Sequence, residues 1–294
     1  MTTPQKRTRV RVPDLLARKS PGAGTKQKIS VITAYDCTMA RLLDSAGVDV
    51  ILVGDSLGSV VQGEATTIPV TLEQMAYHCR CVTNGAEHAL VVGDMPFMSY
   101  QSSAERAIES AGRLMKEGGV AAVKLEGGIH MAPTIERLTQ VDIPVMGHVG
   151  LTPQSYHRMG GYKIQGTAEG KAGKGSAAGS RSRVIEDALA VQAAGAFAVV
   201  LECIPYDLAQ EITRQLDIPT IGIGAGPHCD GQVLVSADMF GFQAKAPSFV
   251  KRYAEVGLAI ENGARAYIAE VQAGTYPALE GQSARRDDPK LKLV

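Results

Sequence analysis

Ile51-Leu52-Val53-Gly54-Asp55 and Leu90-Val91-Val92-Gly93-Asp94 carry nearly the same message twice. Each is a short aliphatic run of the kind that forms a strand buried on both faces, and each stops on Gly and then Asp. An acid at the end of a buried strand stands where core meets solvent and needs a partner such as a metal, a lysine or an arginine. Either acid alone could instead cap the turn that follows it, a common use of Asp. Together they suggest carboxylates converging on one ligand.

Working outward, apolar runs recur near 29–34, 120–123, 143–146, 198–201 and 219–223. Between the runs lie amphipathic stretches predicted as helices over 38–47, 71–85, 103–118, 132–140, 183–195, 206–216 and 247–273, several of them closing on Gly as helix ends favour. Strict alternation of strand and helix implies a parallel sheet covered by helices. Seven clear strands and a weak eighth around Met239-Phe240 fit a closed (β/α)8 barrel, an α/β fold of about 250 residues. The open doubly wound sheet fits less well, because no GxGxxG follows the first strand. The glycine-rich turn Gly222-Ile223-Gly224-Ala225-Gly226 comes after the seventh strand, where barrels often cradle phosphate. The expected organisation is a basic arm with a short helix over 1–28, a single barrel domain over 29–273 that includes a C-terminal helical extension, and a flexible tail over 274–294. The short helix is placed near Pro13–Lys19, since proline suits a first helical turn.

The 294 residues are 45% hydrophobic and 20% charged with zero formal net charge, which gives no reason to expect nucleic acid or an anionic membrane as partner. No apolar stretch approaches the ~20 residues of a membrane span. The five cysteines, Cys37, Cys79, Cys81, Cys203 and Cys229, form no CxxC pair, so a reducing cytoplasm is expected rather than a disulfide scaffold or a structural zinc site. The first 28 residues hold eight Lys or Arg against one acid, Asp14. A mitochondrial presequence can look like that, but a solvated arm is the preferred reading, and a secretory signal lacks its apolar h-region.

In a barrel the C-terminal ends of the strands build the active site. Strand one brings Thr33, Tyr35 and Asp36 there, strand two Asp55 and Ser56, strand three Asp94, strand four Lys124 and Glu126, strand five His148 and strand six Glu202. Asp55, Asp94 and Glu126 make an all-oxygen set suited to a hard divalent ion, with magnesium leaving room for a chelating oxyacid. Lys124 and Glu126, two apart, should share a face. They could form a local salt bridge, or Lys124 could form a Schiff base, but beside a metal it serves better as a cation gripping a carboxylate. Glu202 ends an otherwise apolar strand, where desolvation would raise its pKa as suits a general base, although a structural carboxylate is an equal alternative. Cys203 reads as a small filler and His148 as a residue supporting the site from behind. No GxSxG elbow or Ser-His-Asp arrangement appears.

Nine strings then run in order through residues 10–277. They are Ile32-Thr33-Ala34-Tyr35-Asp36, Val53-Gly54-Asp55-Ser56-Leu57-Gly58, Pro69-Val70-Thr71, Asp94-Met95-Pro96-Phe97-Met98 and Lys124-Leu125-Glu126-Gly127-Gly128, followed by Gly147-His148-Val149-Gly150-Leu151-Thr152-Pro153-Gln154-Ser155, Gly160-Gly161-Tyr162-Lys163, Leu201-Glu202-Cys203-Ile204-Pro205 and Ile221-Gly222-Ile223-Gly224-Ala225-Gly226. The set resembles the ketopantoate hydroxymethyltransferase family. The resemblance implies a (β/α)8 barrel that moves a hydroxymethyl unit from 5,10-methylenetetrahydrofolate to 3-methyl-2-oxobutanoate through a magnesium-stabilised enolate, giving 2-dehydropantoate on the route to pantothenate. It implies Asp55 and Asp94 as direct ligands of Mg2+, Glu126 in the metal site through water, Ser56 and Lys124 with the two aspartates as binders of the 2-oxo acid, and Glu202 as proton acceptor. It also implies a homo-oligomer, often a decamer. Two stretches depart from the pattern: a Gly, Ala, Ser and Lys-rich connection over 167–182, expected to be mobile, and the extended polar tail after Pro277.

Two rivals remain. A magnesium-dependent lyase or mutase of the phosphoenolpyruvate mutase and isocitrate lyase type shares the barrel and the acids, but the Lys-Lys-Cys-Gly-type loop common there is missing. A non-catalytic scaffold barrel would be expected to have lost the strand-end acids, which are all present.

Overall fold

The structure is a computed structural model that describes residues 7–19, 27–167 and 179–278. Most of the expected 167–182 loop and of the tail lie outside the described residues. The chain forms two compact units, 1–236 and 237–294.

The first unit contains the closed barrel, with strands β1 (Ile29–Thr33), β2 (Val50–Val53), β3 (Leu90–Asp94), β4 (Ala122–Lys124), β5 (Val145–Gly150), β6 (Ala198–Glu202), β7 (Thr220–Ile223) and β8 (Gly231–Leu234) in sequential order. All neighbours are parallel, and β8 closes the ring on β1. Helices α1 (Val12–Ala17), α2 (Cys37–Ala46), α3 (Leu57–Val60), α4 (Leu72–Thr83), α5 (Ala104–Lys116) and α6 (Ala132–Thr139) accompany the first half. Helices α7 (Tyr156–Met159), α8 (Arg181–Ala193) and α9 (Tyr206–Gln215) accompany the second, and α10 (Ser236–Met239) and α11 (Val256–Gln272) follow the barrel.

The aliphatic runs form strands because both faces are covered, as the fully buried β2 and β3 show. Helix starts follow capping chemistry. The Thr71 side chain accepts from the amide of Gln74 and closes a capping box on α4, while Ser103 and Ser180 cap α5 and α8. Helix α1 sits under the N-terminal mouth of the barrel. Its Leu15 joins the core cluster of Ile29, Val50, Leu90, Phe197 and Ile221, and Arg18 and Lys19 pair with Asp49 and Asp230 at 2.6 and 2.9 Å, just before β2 and β8. The short helix expected near 13–19 is therefore present and plugs the end opposite the candidate site.

The eighth strand is not at Met239-Phe240 but at Gly231–Leu234, and Met239 belongs to α10. The closing strand hides in the sequence because it is short, opens on Gly and carries an exposed Gln232. Gly231 is required by proximity, since a Cβ there would lie 2.5 Å from the Ile29 carbonyl oxygen of the partner strand. In the second unit α11 begins at Val256 rather than at 247: the Tyr253 amide donates to the Met239 carbonyl ahead of the helix, and Val256, its first residue, donates to the carbonyl of Phe240. The helices end as expected for αL geometry, at Gly47 after α2 and at Gly195, which follows the Ala194 cap of α8 in the left-handed region. No described helix is long and apolar enough to cross a membrane.

Candidate active site

Strand register brings the first pair together. Asp94 is the last residue of β3 and lies directly opposite Lys124, the last residue of β4, and their side chains meet at 2.9 Å from Oδ1 to Nζ. Asp55 follows β2 and its backbone amide donates to Asp94 Oδ2 at 3.2 Å. Glu126 lies two residues beyond Lys124, past the end of β4 but still turned into the mouth. Asp55, Asp94, Lys124, Glu126 and His148 are all buried, the least so being Glu126 at 5% exposure. Three carboxylates thus surround one ammonium in a buried cluster.

That crowding governs protonation. Burial first, and then the neighbouring Asp94 charge, push the Asp55 carboxyl up to about 7, against the pull of Lys124 and of a bond from Gln154. Glu126 is held well above the ordinary range by burial and by Asp55. Burial works against the charge on Lys124, but Asp94, Glu126 and Asp55 outweigh it and hold the ammonium well above its ordinary value. An ammonium held charged is a poor nucleophile, so the ion-pairing role fits Lys124 better than a Schiff base.

His148 is kept neutral by burial and by the Lys124 cation. Its Nδ1 lies 3.3 Å from Lys124 Nζ, which can only donate, so the ring proton belongs on Nε2. Nε2 in turn stands 3.1 Å from Glu202 Oε2, with the N–H aimed off the line to the oxygen. Glu202, at the end of β6, is the most open of these side chains at 16% and so is less desolvated than its strand suggested. Gly150 permits the close approach of β5 to β6. It has φ 93°, and a Cβ there would meet the Glu202 carbonyl oxygen at 2.4 Å. Ser56 hydrogen-bonds the Tyr35 hydroxyl at 2.9 Å. Cys203 beside Glu202 is a thiol pushed up to about 12 by burial and by Glu202, consistent with a filler.

Two strand-one residues have other duties. Asp36 is exposed and caps α2 by accepting from the Met39 amide, so it does not join the acids at the mouth. Thr33 is buried and accepts from the Ser236 amide. The glycine-rich turn after β7 packs against α9, where a Cβ at Gly226 would meet Tyr206 at 2.5 Å. Sequence reasoning also missed Tyr100, Gln101 and Gln154, whose side chains bond to one another behind the acids. A neutral amide in a loop carries no signal that could have singled out Gln154.

The donor set suits a hard cation. Glu126 Oε1 is buried without a hydrogen-bond partner, and Asp94 Oδ1 has only its ion pair with Lys124. No group of three or more His, Cys, Asp or Glu among the described residues forms a ready-made metal cage. Magnesium needs no such cage, being held by one or two carboxylates with water and substrate oxygens. Asp55, Asp94 and Glu126 are the residues here that could hold such an ion.

Beside the acids opens a cavity of about 550 Å3 lined by Glu126, Gln154, Phe97, His130, Arg158 and Arg183, among others. Residues 9–279 match the family described as ketopantoate hydroxymethyltransferase. The chain belongs to that family. It is therefore an enzyme of the transferase class. Among its relatives, the 3-methyl-2-oxobutanoate hydroxymethyltransferase of Trichlorobacter lovleyi is 53% identical over 93% of this chain and 98% of its own. That of Geobacter sulfurreducens is 55% identical over 88% of this chain and 94% of its own. The barrel also resembles phosphoenolpyruvate phosphomutase from Streptomyces platensis subsp. rosaceus, with TM-score 0.57 and 17% identity over 90% of this chain and 88% of that one, a likeness of fold alone. For this family member the strand-end acids make a direct pH prediction. Between about 4 and about 7 the folded chain keeps the Asp55 proton that the unfolded chain releases, so this group destabilises the metal-free protein as pH rises through that window. His148 acts in the opposite direction, so the effect is read as a difference. The stability of Asp55→Asn minus that of the unchanged protein should grow by roughly 2–4 kcal/mol from pH 4 to pH 8 in urea denaturation with chelator. A difference that stays flat would show that Asp55 carries no held proton.

Proposed function

We propose that this enzyme transfers a hydroxymethyl group from 5,10-methylenetetrahydrofolate to 3-methyl-2-oxobutanoate to give 2-dehydropantoate, the first committed step of pantothenate biosynthesis. The reading is carried by one observation: a buried excess of carboxylates beside a lysine and a more open glutamate, in a chain more than half identical to enzymes named for that 2-oxo acid. Magnesium, when bound, would supply the Lewis acidity that polarises the keto oxygen. Lys124 presents a fixed positive charge to the substrate carboxylate, and Ser56, braced by Tyr35, offers a hydroxyl to the same end of the molecule. Glu202 takes the C3 proton. His148 Nε2 flanks its carboxylate at 3.1 Å, leaving the more exposed edge for substrate. The released electron pair attacks the one-carbon unit, water supplies the hydroxyl oxygen, and tetrahydrofolate leaves. The 550 Å3 cavity beside Glu126 is large enough to admit a second substrate next to the first.

The enzyme is further placed in a reducing cytoplasm, which its five free cysteines fit, with small molecules rather than nucleic acid or membrane as partners. It is also read as a homo-oligomer, a decamer by family resemblance. Within its own unit α11 buries no residue and leaves Leu258, Ile260 and Ile268 exposed, as an assembling surface would. The test is cleavage of 2-dehydropantoate with and without tetrahydrofolate. We expect formation of 3-methyl-2-oxobutanoate only when folate and Mg2+ are both present. Cleavage that ignores folate would favour a lyase of the phosphomutase fold group instead.

A further inference from the structure

Gln154 lies in a single 3-10 turn, Pro153–Ser155, just after β5, and is buried at 6% exposure. Every polar group it can offer toward the site is used. Its Nε2 donates to Asp55 Oδ2 and to the Met95 carbonyl, each at 2.9 Å. Its Oε1 accepts from the Tyr100 hydroxyl at 2.7 Å and from Gln101 Nε2 at 2.9 Å. Its backbone amide donates to Glu126 Oε2 at 3.0 Å. The Met95 carbonyl can only accept, so it fixes which end of the amide is the NH2 group. Tyr100 closes the arrangement from the other side, since the Glu126 amide donates to its hydroxyl oxygen at 3.0 Å. A full set of bonds on a buried amide allows one orientation only, because any rotation would strand several polar atoms away from water.

The consequence falls on the two carboxylates. Each has one oxygen held by Gln154, Oδ2 of Asp55 and Oε2 of Glu126. The opposite oxygen of Glu126, Oε1, is buried with no hydrogen-bond partner, His148 Nδ1 being 3.7 Å away. From this geometry we propose that Gln154, oriented by Tyr100, is a positioning residue that presents the remaining oxygens of Asp55 and Glu126 to a divalent cation. The proposal rests on the magnesium reading given above. Gln154 itself does not touch the ion. It acts as the outer support does at metal sites generally, where removing such a partner costs about 10–100-fold in metal affinity.

The experiment measures Mn2+ binding to the purified full chain by electron paramagnetic resonance, alongside circular dichroism and thermal melting. Gln154→Met keeps length and volume but loses every side-chain bond. Tyr100→Phe keeps the ring in its slot and removes only the hydroxyl. Gln154→Glu keeps an acceptor for Tyr100 and Gln101 but loses both donated bonds. We expect the Mn2+ dissociation constant to rise about 10–100-fold in Gln154→Met and Gln154→Glu, and by a smaller factor in Tyr100→Phe, with the far-ultraviolet spectrum unchanged. A purely structural role would lower the melting temperature and leave Mn2+ affinity within twofold of the unchanged protein, and that result overturns the proposal. If the unchanged protein itself binds no Mn2+, the magnesium reading fails and the positioning role falls with it. The two failures are thereby distinguishable, and Tyr100→Phe decides the matter should Gln154→Met not fold.

Discussion

Glu202→Gln is expected to stop exchange of the C3 hydrogen of 3-methyl-2-oxobutanoate with solvent deuterium, lowering the rate by about 10^2–10^4-fold, the usual worth of a positioned base. The substitution is nearly isosteric. The amide oxygen can occupy the same place 3.1 Å from His148 Nε2 as the native carboxylate oxygen, so the side chain keeps its position while losing its basicity. Binding of the 2-oxo acid should change by no more than a few fold, because the groups proposed to grip it, Lys124, Ser56 and the acid cluster, lie on or just after β2, β3 and β4, elsewhere in the ring. Proton magnetic resonance in D2O reads the exchange directly and needs no folate, which separates proton removal from transfer of the one-carbon unit. Exchange persisting at the native rate would remove Glu202 from the role of base. The only other buried acids within the mouth are Asp55, Asp94 and Glu126, among the described residues, and those are held by Lys124 and Gln154.

Lys124→Met should destabilise the metal-free protein by about 3–5 kcal/mol at pH 8, the cost of leaving buried charge without its counter-ion. Lys124 is the single lysine or arginine paired with these acids among the described residues, and Asp94 lies 2.9 Å from it. The loss should shrink as pH falls toward 5. Asp55, with its carboxyl pushed up to about 7, and Glu126, raised further, take protons there and no longer need the cation. Added Mg2+ should restore part of the loss at pH 8 by replacing one positive charge with another. Urea denaturation at both pH values, with and without Mg2+, checks all three statements. A loss below about 1 kcal/mol at pH 8 would mean that the acids are not ionised together in the folded chain.

Much of the site was legible because of two regularities that act locally. A parallel barrel delivers the end of every strand to the same mouth, so an acid closing an aliphatic run declares its position. Neighbouring strands then bring such ends side by side, as Asp94 and Lys124 show in register. The same reasoning overreached at Asp36, where the next turn of chain entered a helix and the carboxylate was used as its cap. It underreached at β8, whose Gly231 and exposed Gln232 look like a loop until β1 is beside them. Gln154 lay beyond reach altogether. Its Tyr100 partner is 54 residues away, and a glutamine in a polar loop is ordinarily a solvated side chain.

The amino-acid sequence by itself determined the alternation of strand and helix, the barrel class, the family, and the acids, lysine, histidine and glutamate at the strand ends. The alternation, the barrel class and the strand-end groups follow from periodicity and residue chemistry, which are properties of short stretches, and the family follows from the resemblance of nine strings in order. Only the tertiary structure decided which of those groups meet, which oxygen of each carboxylate is already engaged, and which tautomer His148 adopts. Protonation and hydrogen-bond direction depend on burial and on neighbours far apart in the chain, and these exist only once the barrel has closed.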